Sequence, residues 1–400
     1  MLRFLFAITA CGIAPSATAQ TMFESEVARF TTTEVASGLK QPVAMAFLPD
    51  GRALLVQRQS TQLVLLGRSG QRDLVEFDVN LDAATPAAAI LTGEDAGMLD
   101  VVLHPDHART GWIYVSYSAG ERERSTTAID RFRLRENRVV DRQRIFTAKA
   151  WSEDRFHYGG RMVFTGGHLF VSVGDRHHQD RAQELDNHAG KILRLMDDGS
   201  AAPDNPFASR HDAEPEIWSY GHRNPQGLIA IAGGSSIANG ASAGVEIPGA
   251  TLWSHEHGPR HGDELNEIRA GANYGWPVVS FGWQYSGGPI GMGITIQEGM
   301  QQPVWVWTPS IAPSGMIVYT GAAFPAWRGN LLLGSMAQRC LDRLVLRDGH
   351  VALEERLMNP QAGRVRLVAQ GPQGQVYIGN DDGKLLRLMP LGKDSRNARP

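Results

Sequence analysis

Six times along this chain a short apolar run meets a turn of Asp, Gly or Pro and a second apolar run follows. The clearest copies are VAMAFLPDGRALLVQR (43–58), LDVVLHPDHARTGWIYVSYS (99–118), RMVFTGGHLFVSVGD (161–175), SGMIVYTGAAFPAWRGNLLLGSM (314–336) and VRLVAQGPQGQVYIGNDDGKLLRL (365–388), with a weaker one at GLIAIAGGSSIA (227–238). Runs of strand length, rich in Val, Ile, Leu and Tyr and ended by Gly or Pro, carry the hairpin signature. Spaced at intervals of roughly 50 to 90 residues, such hairpins predict small sheets stacked around an axis: an all-β, six-bladed β-propeller. The 44 glycines and 8% aromatic content suit a turn-rich β protein, and 42% hydrophobic residues can build a sizeable core. Helical periodicity is scarce. Its best stretch, Gln183 to Leu195, is interrupted by Asn187-His188-Ala189-Gly190.

The first residues read as an address. Arg3 is followed by an apolar run from Phe4 to Ile13 and by the small-residue cleavage pattern Ala17-Thr18-Ala19, so residues 1–19 are expected to be a signal peptide and the protein to act in a bacterial periplasm. Ile8-Thr9-Ala10-Cys11 also resembles a lipoprotein box that would tether the chain at Cys11, but the apolar run before it is short. Removal of residues 1–19 leaves Cys340 alone, which excludes an intrachain disulfide in that form. No later run is long and apolar enough for a membrane helix, residues 20–390 carry no linker that would divide the propeller, and 391–400 form a polar tail. A formal net charge of −3, which becomes −4 without the leader, makes no electrostatic case for nucleic acid.

Chemistry concentrates between Trp218 and Pro277, in WSYGHRNPQG (218–227), HEHGPRHGDELNEI (255–268) and GANYGWP (271–277). Each string sets charge or imidazole beside Gly or Pro, which exposes backbone carbonyls on fixed turns. Pro225 disfavours helix at Asn224, so His222, Arg223 and Asn224 are expected on a turn or extended segment. Gly258 and Pro259 can present successive carbonyl oxygens to a hard cation such as calcium. His177, His178, His255, His257 and His261 lack the spacing and the Cys partners of a zinc site.

Taken in order, HYGGRM (157–162), SVGDR (172–176), GKILRL (190–195), GHRNPQGL (221–228), HGPRHGDELN (257–266), NYGWP (273–277), APSG (312–315) and RVRLVAQGPQGQVYIGND (364–381) resemble the soluble aldose sugar dehydrogenases that use pyrroloquinoline quinone, the glucose/sorbosone dehydrogenase family. The resemblance covers almost all of the chain after residue 19. It implies a six-bladed propeller holding the quinone and calcium at the top of its central channel, oxidation of an aldose at the anomeric carbon to a lactone, and an external electron acceptor. His157 matches the base, a role that an imidazole near its ordinary pKa suits at neutral pH, and Gly159 and Gly160 are expected to let a flat ligand approach. Asp175 is expected to orient His157 or to cap a turn. Arg223 and Asn224 match residues beside the quinone carbonyls, where a fixed positive charge stabilises growing electron density. The resemblance gives Gly258 and Pro259 the calcium, and Arg364, Arg366 and Ser310 the cofactor.

The chain also departs from the family pattern. Ala337 stands where some members place a Lys that reaches a cofactor carboxylate, which puts quinone affinity in question. Phe156 replaces an acid that holds the sugar in glucose-oxidising members, Asp95 or Glu94 replaces a Gln, and Leu367 replaces a common Asp. These changes favour the broad-specificity aldose branch. Two other readings stay open at this stage: a calcium-dependent propeller lactonase, which would want side-chain carboxylates around its metal, and a non-catalytic propeller binding module that has lost the cofactor.

Overall fold

The computed structural model of the chain describes residues 21–68, 70–77, 90–231 and 250–392. The expected leader lies outside them, as does the tail beyond Gly392. Among the described residues there are six antiparallel sheets, five of four strands and one of five, so the predicted six-bladed all-β propeller is what forms. The innermost strands are Pro42–Phe47, Met98–Leu103, Met162–Thr165, Pro225–Ile231, Pro313–Val318 and Val365–Gln370. They line a narrow axial cavity of about 160 Å³.

The apolar runs are continuous because each sheet is covered on both faces by its neighbours. In blade one every residue of Ala53–Gln57 is buried, whereas the outermost strand Arg72–Glu76 mostly alternates with solvent. One core, built from Leu54, Val56, Leu63 and Leu65 with Val101, Ile113, Val115 and Phe132, joins blade one to blade two. The sixth blade unites both ends of the chain: Val365–Gln370, Val376–Asn380 and Leu385–Pro390 are extended by Arg29–Ala36 and Met22–Glu24. Thr31 pairs with Met389 and Thr33 with Arg387, which closes the ring.

Two local expectations change. Gln183 to Leu195 contains no helix: Gly190 has φ +69° and Lys191–Leu195 pairs with Leu169–Val173 as the third strand of blade three. Of the weak copy at 227–238 the described residues include only the first strand, which pairs with Thr251–Glu256; residues 232–249 lie outside the described residues.

Candidate active site

In every blade the first strand begins, and the second ends, on the same face of the ring. His157, Arg223, Ser310 and Arg364 precede first strands, while Asp175, Gly258, Ala337, Asp381 and Arg58 follow second strands. Residues far apart in sequence are thereby gathered at one mouth of the axis.

At the centre of this cluster His157 Nδ1 lies 2.7 Å from Asp175 Oδ1, and both side chains are buried. The same oxygen accepts the His177 amide at 2.9 Å, so Asp175 both orients the imidazole and caps its own turn. Its other oxygen accepts Trp276 Nε1–H at 2.8 Å, a contact 101 residues away that sequence reasoning missed. With Nδ1 facing a carboxylate, the lone pair of the neutral ring is on Nε2, which has no hydrogen bond among the described residues. Burial pushes Asp175 up, but the imidazole and Arg223 outweigh it and hold the carboxyl below its ordinary value. His157 is not near its ordinary pKa: burial and then the Arg223 charge push it down to about 4 against the pull of Asp175, which corrects the sequence expectation. It is therefore a neutral base over a wider range than a free histidine.

The two glycines after His157 serve packing rather than ligand approach. A Cβ at Gly159, where φ is +64°, would stand 2.9 Å from the Ser172 carbonyl, and His157 itself holds φ at +53°. Such a backbone costs on the order of 1–3 kcal/mol and persists because the surrounding contacts enforce it. Gly174 is part of that enforcement, since a Cβ there would stand 2.2 Å from the His157 carbonyl.

Arg223 is fixed on three sides. Its amide donates to Glu256 Oε2 at 2.5 Å, Nη1 donates to the His257 and Gly258 carbonyls at 3.0 and 2.8 Å, and the guanidinium lies 5.4 Å from the Trp276 ring centroid. Glu256 also binds His222 Nδ1 at 3.0 Å, and His222 stacks on Tyr274, so His222 is a scaffold for the turn. The Asn224 carboxamide accepts from Gln226 Nε2 at 3.0 Å beside Gly174.

Arg364 and Arg366 converge on one carboxylate. Arg364 Nε is 2.9 Å from Asp381 Oδ2, while Arg366 Nε and Nη2 take the two oxygens as a fork. Arg58 is buried nearby, 3.6 Å from Asp95; burial and the Arg366 charge push it down to about 10. Burial pushes Asp95 up, yet Arg58, His157, His257 and Arg366 together hold it below its ordinary value, which places it within the same cluster. Ala337 is exposed on the turn after Leu331–Ser335. Arg364 Nη1, 3.3 Å from the adjacent Met336 carbonyl, brings a cation beside that turn. Phe156, stacked on His177, and the fully buried Leu367 provide apolar surface where an acid was the alternative.

The donor set fits a polycarboxylate quinone: the arginines outnumber their acids, and two buried atoms, Ser310 Oγ and Arg58 Nε, have no hydrogen-bond partner among the described residues. Calcium at Gly258 and Pro259 would meet backbone oxygens of the right kind, with the Gly258 carbonyl shared with Arg223. The carboxylates a lactonase metal would want are occupied by the scaffold. Asp263 accepts the Gly258, Ile311 and Ala312 amides, and Glu256 serves His222 and Arg223. Of the histidines set aside as zinc ligands, His255 and His257 face the Ser314 and Pro313 carbonyls and His177 faces Asp154, whereas His261 Nδ1 is buried without a hydrogen bond among the described residues. One outlying group, His188 with Glu214 and Glu216, has metal-like spacing among the described residues. Its imidazole Nδ1 accepts the Lys149 amide at 3.0 Å, so the ring proton is on Nε2 and faces Glu216 in place of an ion.

The six blades thus bring an imidazole–carboxylate pair and a surplus of arginines to one mouth of the ring. The chain belongs to the glucose/sorbosone dehydrogenase family, which it matches over residues 39–387. It is 34% identical to aldose sugar dehydrogenase YliI of Escherichia coli (strain K12) over 363 residues, 88% of this chain and 91% of that protein. Among solved structures it is similar to a glucose dehydrogenase at 35% identity and TM-score 0.78, over 89% of this chain and 98% of the other. The PQQ-bound form of an aldose sugar dehydrogenase from Streptomyces coelicolor shares the fold at 24% identity and TM-score 0.69, over 91% of this chain and 99% of that one.

Trp276 should matter through Asp175. Trp276→Phe keeps the ring and removes the N–H, leaving the carboxylate less stabilised and a stronger partner for imidazolium. The acidic limb of the pH–rate profile, expected near pH 4 in the native chain, should move upward and turnover should fall several-fold. An unmoved limb would make Trp276 a packing residue only.

Proposed function

We propose that the chain is a quinoprotein oxidoreductase that oxidises aldose sugars at the anomeric carbon to lactones. It uses pyrroloquinoline quinone and calcium and passes electrons to an external acceptor. The observation that carries this reading is the buried His157–Asp175 pair beside Arg223, with the lone pair of the base directed away from its carboxylate. His157 Nε2 takes the proton of the anomeric hydroxyl, and Asp175 stabilises the imidazolium so formed. The quinone, when bound, supplies the two-electron acceptor for the hydride leaving that carbon. Arg223 and Asn224 would orient it, with Arg223 supplying positive charge beside its carbonyls, Arg364, Arg366 and Ser310 would hold its polar groups, and Gly258 and Pro259 would offer carbonyls to calcium. The names of the relatives support the redox class. Phe156 and Asp95 at the mouth support a broad aldose substrate range.

One domain, residues 20–390, performs this work after export to the periplasm and removal of residues 1–19. No helix among the described residues is long and apolar enough to cross a membrane.

Reconstitution tests the reading. The purified chain given calcium and quinone should acquire quinone absorbance and reduce a dye when an aldose is added, and exhaustive chelation should release the quinone and abolish dye reduction until calcium returns. Full activity after chelation would remove calcium from the proposal, and absence of quinone binding would favour a binding module.

A further inference from the structure

A second cavity, of about 730 Å³, opens on the opposite face of the ring, between the turns joining first to second strands in blades six, one and two. Met45, Phe47 and Leu103 form part of its wall and part of the wall of the axial channel, so it sits at the far mouth of the axis. Its size is within the roughly 300–1,000 Å³ of small-molecule sites. The apolar side is built around the rings of Phe47 and Tyr377, 5.3 Å apart and tilted by 54°.

Its polar side is one-signed. Arg68, His104, His107 and Arg387 line the cavity, and no Asp or Glu does among the described residues. Two of these cationic or imidazole groups have their own partners nearby: Arg68 Nε donates to the Asp50 carbonyl at 2.7 Å, and His104 lies 3.6 Å from Asp197. Arg387 has none. Its Nε is buried without a hydrogen bond, as is Nδ1 of His107. A guanidinium without an acid partner can take an anion, and its fork matches a carboxylate in shape and charge.

From this geometry we propose that the far-mouth cavity binds a small organic anion with an aromatic body, an aryl carboxylate being the simplest case, its carboxylate on Arg387 and its ring against Phe47 and Tyr377. A neutral sugar fits less well, because its hydroxyl donors would meet no carboxylate acceptor. The proposal does not depend on the redox reading, and its test involves no turnover.

The experiment is titration of the full chain with 4-fluorophenylacetate and with its uncharged analogue 4-fluorophenethyl alcohol, followed by fluorine NMR and calorimetry. The acid should bind saturably and at least about tenfold more tightly than the alcohol, the size expected of one charge-assisted contact. Arg387→Gln should weaken the acid by a similar factor. Ala108→Phe, which fills the cavity rim and spares Arg387, should also reduce binding and decides the matter if Arg387→Gln fails to fold. Arg364→Gln, at the other mouth, should change nothing. Equal affinity for acid and alcohol, no saturable binding up to about ten millimolar, or loss on Arg364→Gln with Arg387→Gln unaffected would each overturn the proposal.

Discussion

His157→Gln is expected to lower turnover about a hundredfold or more while quinone and calcium still bind, the usual contribution of a positioned general base. Gln can donate to Asp175 much as the imidazole Nδ1 does, but it has no basic nitrogen where Nε2 stands. The variant therefore separates proton acceptance from architecture. Steady-state dye reduction measures the first, and absorbance of the bound quinone together with thermal unfolding monitors the second. Near-normal turnover would take His157 out of the mechanism. Quinone loss with little change in single-turnover rate would instead make it a cofactor contact.

Arg366→Gln should weaken quinone binding by about tenfold to a hundredfold, since a hydrogen bond to a charged group contributes roughly 1.5–3 kcal/mol and 1.4 kcal/mol is one decade. Two guanidiniums share the Asp381 carboxylate, so the cluster carries one positive charge in surplus for an anionic ligand. Removing Arg366 cancels that surplus and leaves Arg364 paired with Asp381. Quinone titration of the apo protein in saturating calcium measures the change. An unaltered half-saturation point would mean that the pair serves only to join strand Val365–Gln370 to the turn at Asp381.

The blades were legible because both-face burial leaves continuous apolar runs such as Ala53–Gln57, bounded by turn residues. Outer strands were harder to read, since Arg138–Thr147 and His350–Leu357 are largely solvated and carry mixed charge. The partner of Pro225–Ile231 was hidden because it begins only at Thr251. At the mouth, His157, Asp175 and Arg223 were readable from local strings, and the structure brings all three together. Trp276 was not: its N–H reaches Asp175 through folding alone, with no local signal at either position. At Gly159 a second constraint was not legible, since a Cβ there would stand 2.9 Å from the Ser172 carbonyl, 13 residues along the chain. The depressed basicity of His157 was also invisible, because it follows from burial and the nearby Arg223 charge.

The sixth blade has a consequence for timing. Among the described residues Arg29–Ala36 is the second strand and Leu385–Pro390 the last, yet they pair with each other, beside the strands that position Arg366 and Asp381. Contacts of such long sequence separation form late, after the entropy of closing the intervening loop has been met. Blades one to five can form in order along the chain, but the arginine–aspartate grip stands on a sheet that is whole only once Leu385–Pro390 has met Arg29–Ala36. Any ligand held by that grip therefore waits on closure of the ring.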